Sequence, residues 1–462
     1  MTTSTEELLP ATRRALLHRL AVAQSEGRAP SVVAAVGRGG ETVWSGARTS
    51  AGGSWSALDT QYRIGSITKT FTAVLVLRLR DEGLLDLGDP LEKHLPGTAA
   101  GEVTLAELLA HTGGLAAETP EPWWERTPGS LRPELADVLG ERPFRHPKGR
   151  VHHYSNPGYT LLGAVVEKLR DAPWEEVLRR EVLEPLGLRR TGARPQAPHA
   201  DAWAVHPWAD VLLPEPVEEL GLMAPAGQLW STTADLIRFG VFLARGDERV
   251  LSARSVREMG TPAAPPATAD LASGISYGLG TQVLRVGGRT LVGHSGSLPG
   301  FLAALFFSAE DDVTAVVLAN CTSGPPVVGV AADLVRIVAE GEPRIPGPWR
   351  PLPEVDRAAL DLTGPWYWGA APHALQLTGD GGVVLGPLNA WGRGSRFRAC
   401  PDGTWLGLEG YYAGETLRVG RRPDGSVSHL DLGSFVFTRE PYEQGAPVPG
   451  GVHPEGWRGG IQ

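Results

Sequence analysis

Ser66 and Lys69 stand three residues apart at the start of a run whose apolar residues, Ile67, Phe71, Val74, Leu75 and Leu79, recur near the helical period. That spacing puts a hydroxyl and an amine on one helical face, within reach of each other. A serine hydroxyl becomes a useful nucleophile when a neighbour takes its proton, and a lysine can do so once burial or nearby groups depress its pKa. Gly65 permits close approach of backbone or ligand, and a helix N-terminus offers free N–H groups to a developing oxyanion. The chain carries 43 lysines and arginines together, yet lysine stands only at Lys69, Lys93, Lys148 and Lys168. Arginine keeps its proton in a protein and lysine need not, so a rare lysine one turn after a serine fits a base. Taken alone, Ser-x-x-Lys is common, and an N-capping serine beside a surface lysine is the better explanation of it.

Two further groups change that balance. Tyr154-Ser155-Asn156 follows a basic stretch and precedes Pro157-Gly158, a turn that opens the next helix. A tyrosine beside a lysine can serve as general base and later as general acid, and Asn156 offers an amide that can hold a substrate carbonyl or the lysine. His294-Ser295-Gly296 reads as the end of a strand over 290–293. Gly296 there would let a substrate backbone lie along the strand edge. The Ser297 N–H would be a second oxyanion donor, and His294 would donate to substrate or to Tyr154. Each group also has a plain structural reading, as a turn asparagine and a strand-end histidine.

In this order the three groups resemble the active-site motifs of class C β-lactamases, D-Ala-D-Ala peptidases and related serine esterases. The supporting phrases are Tyr62 to Lys69, Leu108-Leu-Ala-His111-Thr-Gly-Gly-Leu115, Pro225 to Ser231 and Tyr277-Gly-Leu-Gly280. The resemblance spans roughly residues 10–340. It implies an α/β (α+β) fold: an antiparallel sheet flanked by helices, plus an all-helical lobe. It also implies an acyl-Ser66 intermediate, with Ser66, Lys69 and Tyr154 catalytic and Asn156, His294, Gly296 and Ser297 around substrate and oxyanion. No cofactor or metal is implied, and His111 reads as structural. The third motif usually carries Lys-Thr-Gly, whose lysine helps hold a substrate carboxylate; His294 and Ser295 stand there instead. That weakens the β-lactamase and cell-wall carboxypeptidase readings, and no deacylating glutamate of the class A kind is visible. Gly293-His-Ser295-Gly also suggests a nucleophile elbow, but Ser297 replaces its last glycine and the alternating strand–helix pattern is missing.

The elements that must position these groups can be read coarsely. Residues 5–25 form an amphipathic pattern with Leu8, Leu16, Leu17 and Leu20 on one side. Residues 31–36 and 42–46 read as a strand hairpin, and 63–85 as a helix. Further helices are expected at 104–110, 157–170, 174–183 and 233–244, loops at 193–220 and 261–273, and consecutive strands at 289–293, 301–308 and 313–320. Such an order suits terminal strands sharing one sheet. A domain over 1–342, a proline-rich linker over 343–360, a small antiparallel β-domain of lipocalin-like barrel type over 361–442 and a poorly ordered tail over 443–462 follow. In the β-domain, Asp-Gly pairs at 380–381, 402–403 and 424–425 signal two-residue hairpins.

Composition narrows the function. A net charge of −9 argues against nucleic-acid binding. Cys321 and Cys400 give no disulfide framework, and His152-His153 lacks carboxylate companions at metal-ligand spacing. The N-terminal residues lack the pattern of a secretory signal and no apolar run spans a bilayer, so the chain reads as cytoplasmic. A cytoplasmic catalytic half with an added β-domain resembles penicillin-binding-protein-type thioesterases. The resemblance implies a peptide thioester or ester as substrate, free or carrier-bound, with a D-residue at the acylating end and release by head-to-tail cyclisation. Trp123, Trp124, Trp203, Trp208 and Trp230 would line an apolar peptide cleft, or simply pack. Trp366, Tyr367, Trp368, Tyr411 and Tyr412 read as β-domain core rather than a contact with the catalytic half. The alternatives are a D-amino-acid peptidase or esterase of the same fold and a non-catalytic binding protein. Oligomeric state is not legible.

Overall fold

The computed structural model describes residues 8–50, 56–264, 275–354, 356–389 and 392–441. The expected tail over 443–462 and most of the loop over 261–273 lie outside them. The chain divides into two compact units, Met1–Arg344 and Ile345–Gln462.

The first unit opens with helix α1 (Pro10–Glu26) and a hairpin of β1 (Ser31–Arg38) and β2 (Glu41–Thr49). Helices α2 (Thr68–Asp81), α3 (Leu105–Leu109), α4 (Asn156–Arg170) and α5 (Thr233–Arg245) follow. The chain then returns to strands β3 (Ile275–Tyr277), β4 (Gln282–Val286), β5 (Arg289–Leu298), β6 (Phe301–Ser308) and β7 (Val313–Ala319), and closes with α6 (Val327–Gly341). These strands form one antiparallel sheet in the order β2-β1-β7-β6-β5-β4-β3, so strands from both ends of the unit meet at the β1–β7 pair. Side chains alternate across it. Val32, Ala34 and Val36 join the core under α1 and α6, while Val33 and Ala35 join the core shared with α2, α4 and α5. Both faces are covered, which is why β1 and β7 read as near-continuous apolar runs, Val32 to Val36 and Ala315 to Ala319.

Several expectations need correction. In α1 the buried face is Thr12, Leu16, Leu20 and Ala23, and Leu17 points outward. Tyr62–Arg63 is a short strand paired with Trp230–Ser231, so the helix expected from 63 begins only at Thr68. The helix expected over 174–183 changes to a π-helical turn at Arg179–Leu183. Inside the expected loop 193–220 lies a small hairpin, Trp203–Val205 with Leu212–Pro214. Strand β5 continues to Leu298, because pairing with β6 carries Ser295, Gly296 and Ser297 along with it.

The second unit is a closed eight-stranded barrel from Gly364–Trp368 to Phe435–Thr438. Its core holds Trp366, Phe397, Leu417 and Phe437. Trp366 and Tyr412 are buried, whereas Trp368 and Tyr411 face outward. The stretch expected as linker ends in a helical turn, Arg357–Leu360, whose Ala359 belongs to the barrel core. Each Asp-Gly pair closes a three-residue loop rather than a two-residue one. In each, only the glycine has positive φ (79°, 81° and 86° at Gly381, Gly403 and Gly425). Its N–H bonds back to the carbonyl three residues earlier, which is a type I turn with a glycine bulge.

Candidate active site

Ser66 sits in a single 3-10 turn, Gly65–Ile67, just before α2. Gly65 has φ +51°, and a Cβ on it would come within 2.8 Å of the Ser297 nitrogen; one on Gly296 would come within 2.9 Å of the Ser66 nitrogen. Glycines at both places let the turn lie against β5. The backbone nitrogens of Ser66 and Ser297 therefore belong to facing segments, as an oxyanion site requires.

Lys69 follows in the first turn of α2 and is fully buried. Its ammonium donates to Ser66 Oγ (3.0 Å), Asn156 Oδ1 (2.6 Å) and the Ala226 carbonyl (2.7 Å). Three donors thus meet three acceptors. If the amine is neutral, two N–H groups still serve Asn156 and Ala226, and the lone pair faces the serine hydroxyl. Burial pushes its pKa down to about 7, opposed by the carboxylates of Glu118 and Glu125. Around it Thr70 donates to the Gly280 carbonyl and Thr72 to that of Pro225, so the buried polar side chains of α2 are satisfied.

Tyr154 and Asn156 are placed by the start of α4. Ser155 caps it, accepting from Gly158 N–H and donating to the Ala116 carbonyl, while Pro157 sits in the first turn. The Tyr154 ring lies 4.9 Å from the Lys69 amine. Its hydroxyl is buried and makes no hydrogen bond of normal geometry. Burial raises its pKa above the ordinary phenol range, partly offset by the nearby Ser66 hydroxyl. At neutral pH the phenol is protonated, so Lys69 is the group poised to accept the serine proton and Tyr154 the one poised to give a proton.

His294 does not take the expected role. Its Nδ1 lies 2.5 Å from the Ser295 carbonyl and its Nε2 2.9 Å from the Tyr277 hydroxyl. That hydroxyl is 3.2 Å from His111 Nε2, and His111 Nδ1 accepts from the Ser155 N–H. A peptide N–H can only donate and a carbonyl can only accept, so the direction of the chain is fixed. His111 carries its proton on Nε2 and donates to Tyr277; Tyr277 donates to His294; His294 carries its proton on Nδ1. Both rings are neutral: burial pushes His294 down to about 3 and His111 well below its ordinary range. His294 has no N–H left for substrate or for Tyr154. His111 is more than a packing residue, since its ring also lies 4.2 Å from that of Tyr154. His152 and His153 diverge, one ring toward His111 and Tyr277 and the other toward His146.

These groups open onto a cleft of about 520 Å³ lined by Ser66, Tyr154, Gln282 and His294 to Ser297, with Leu302 and residues 325–329 as its apolar wall. The five candidate tryptophans do not line it. Trp230 is core, Trp208 is 91% exposed, Trp203 is half-buried in its hairpin, and Trp123 and Trp124 line a neighbouring pocket with Glu118 and Glu125. Three site residues receive no role from the sequence alone. Glu118 bonds Asn156, Gln282 accepts from the Ser295 N–H and hydroxyl, and Tyr277 links the histidines. Tyr277 opens the Tyr-Gly-Leu-Gly280 phrase, Gln282 follows it and Glu118 follows Gly-Gly-Leu115, so membership of or adjacency to those phrases is the available signal.

The Beta-lactamase family profile matches residues 14–340. The chain belongs to the Beta-lactamase family. Residues 355–439 match a domain of unknown function, DUF7586. Penicillin-binding protein 4 of Amycolatopsis lactamdurans is 27% identical over 297 residues, covering 60% of this chain and 76% of that one. A D-stereospecific amidohydrolase from Streptomyces sp. superposes with a TM-score of 0.59 at 26% identity, over 72% of this chain and 99% of that one. The structure of SurE superposes with a TM-score of 0.57 at 23% identity, over 93% of this chain and 99% of that one, a likeness of fold. The fold is thus the serine-hydrolase type of β-lactamases and penicillin-binding proteins. No described helix is long and apolar enough to cross a membrane.

Proposed function

We propose that this protein is a thioesterase that takes a peptidyl group with a D-residue at its acylating end onto Ser66 and releases it by attack of the peptide's own amine. The Ser66–Lys69 contact, with a protonated Tyr154 beside it, is the observation that carries acyl transfer. In the first step Lys69 takes the Ser66 proton, Oγ bonds to the thioester carbon, and the Ser66 and Ser297 N–H groups receive the oxyanion. The C–S bond then breaks, and the thiolate leaves with a proton from Tyr154, which Lys69 replaces. In the second step the peptide amine attacks the acyl carbon. Its proton passes through Tyr154 and Lys69, and Ser66 Oγ leaves with a proton. Water in place of the amine gives the linear acid.

The cleft supports a substrate without a carboxylate beside the scissile bond. Among its described lining residues there is no lysine or arginine, and His294 is neutral. Its apolar wall suits a peptidyl group, delivered free or on a carrier. Hydrolysis is the second reading, favoured by the likeness to the D-stereospecific amidohydrolase. The test is a synthetic peptidyl thioester ending in a D-residue, with products read by mass spectrometry beside Ser66→Ala. A product one water lighter than the linear acid, absent in the variant, is expected. Linear acid alone selects the hydrolase. No turnover and no adduct on Ser66 with thioester, ester or β-lactam supports a non-catalytic protein.

A further inference from the structure

Glu118 joins the catalytic group through its hydrogen bonds, although it touches neither Ser66 nor Lys69. Its Oε1 accepts from Asn156 Nδ2 at 2.9 Å, and its Oε2 accepts from Trp124 Nε1 at 2.6 Å. A side-chain amide can be turned either way, and here both neighbours decide the choice. The carboxylate can only accept and the lysine ammonium can only donate. The Asn156 amide must therefore present nitrogen to Glu118 and oxygen to Lys69. Trp124 is buried and holds the carboxylate in that place. Arg132 donates to the Thr119 hydroxyl (2.8 Å) and the Pro120 carbonyl (2.5 Å), which fixes the segment just after Glu118.

We infer that Glu118 is a positioning residue for acyl transfer: it orients Asn156 toward Lys69, and its negative charge balances the buried amine. The inference rests on Lys69 being the acceptor of the Ser66 proton. The other groups facing Lys69 leave that part to Glu118 and Glu125. Ser66, Asn156 and the Ala226 carbonyl are uncharged, the Tyr154 and Tyr159 rings (4.9 and 5.7 Å from the amine) are protonated phenols, and His111 and His294 are neutral. Glu125 is a weaker counter-charge, because burial raises its own pKa. Glu118 opens to solvent, which moderates its influence without removing it.

The lysine content makes the test direct. With four lysines in the chain, ¹³C-lysine labelling of the full-length protein gives four Cε signals, and Lys69→Met identifies the one sought. In the wild type that signal is expected to titrate near pH 7. Glu118→Gln should lower its midpoint by about one pH unit, a tenfold loss of proton affinity. The acid limb of Ser66 acylation should move by the same amount. Glu118→Asp keeps the charge and withdraws it from Asn156. There the midpoint should stay near the wild-type value while acylation slows, and this variant carries the test if Glu118→Gln loses the dispersed spectrum of the folded chain. An unmoved midpoint in folded Glu118→Gln overturns the inference, as does a change confined to KM for substrates bearing an amine. A wild-type Lys69 titrating at about 10, as a free lysine does, would contradict the acyl-transfer reading itself.

Discussion

Tyr154 stands between two hydrogen-bond chains that differ in charge. On one side Lys69 and Glu118, linked through Asn156, carry charge; on the other His111, Tyr277 and His294 carry none. Both chains are anchored by backbone groups and both bring basic side chains out of water. Burial depresses all three bases, yet Lys69 is left near neutrality and the histidines are driven far below it. The difference begins with the groups themselves: the amine starts at 10.5 and the imidazole at 6.5, so similar drops leave Lys69 at about 7 and His294 at about 3. Glu118 and Glu125 oppose the desolvation of Lys69, while the histidines face Lys69 and each other. A buried amine is basic enough to stay useful at pH 7 after desolvation, the more so with carboxylates nearby, whereas a buried imidazole without one is locked neutral. The first arrangement suits proton transfer; the second suits holding a ring and a strand in place.

The largest expected effect breaks the charged chain. Lys69→Met should slow acylation of Ser66 by about 10²- to 10⁴-fold, as loss of a positioned base does. Lys69→Arg should be as inactive, because arginine keeps its proton. Stopped-flow acylation measures both, and an active Lys69→Arg would show that the amine serves only as a charge.

Next comes the neutral chain. Tyr277→Phe leaves His111 Nε2–H without an acceptor and His294 Nε2 without a donor, each costing about 1–3 kcal/mol. The thermal unfolding transition should fall by several degrees. An unchanged transition would mean that the chain contributes little.

A smaller effect separates the two by pH. His294 titrates at about 3 when folded and about 6.5 when unfolded. Between those values the unfolded chain binds a proton that the folded one does not. Stability therefore falls as pH drops from about 6.5 toward 3, by up to about 1.4 kcal/mol per pH unit, and His111 adds in the same direction. Urea midpoints at pH 7 and pH 5 should show it, and equal midpoints would refute the locked-neutral histidines. The smallest effect is Glu125→Gln, which should lower the Lys69 midpoint less than Glu118→Gln does in the same NMR titration.

Much of this was legible because local pattern and tertiary role agree. Ser66 and Lys69 meet through helix-like spacing alone, and residues 301–307 are apolar throughout because both faces of β6 are covered. Reading stopped where a partner lies far along the chain. Nothing local pairs Tyr277 with His111 and His294, or turns Glu118 toward Asn156; the sheet and the helical lobe bring them together. His294 reads in sequence as a donor to substrate or to Tyr154 because a free imidazole is a donor, and only the Ser295 carbonyl and Tyr277 show that both nitrogens are engaged. Ser295, Gly296 and Ser297 have weak strand preference, so the end of β5 is decided by its neighbour. In the barrel Asp-Gly marked the right turns, but the residue before each pair also belongs to the loop.

The most direct measurement follows acylation of Ser66 by p-nitrophenyl butyrate, read by intact mass and peptide mapping from pH 5 to 9. The expected result is one butyryl group on Ser66, formed at a rate that rises through a midpoint near pH 7 as Lys69 loses its proton. An adduct on another residue, or a rate independent of pH across that midpoint, would contradict Lys69 as the base that makes Ser66 a nucleophile.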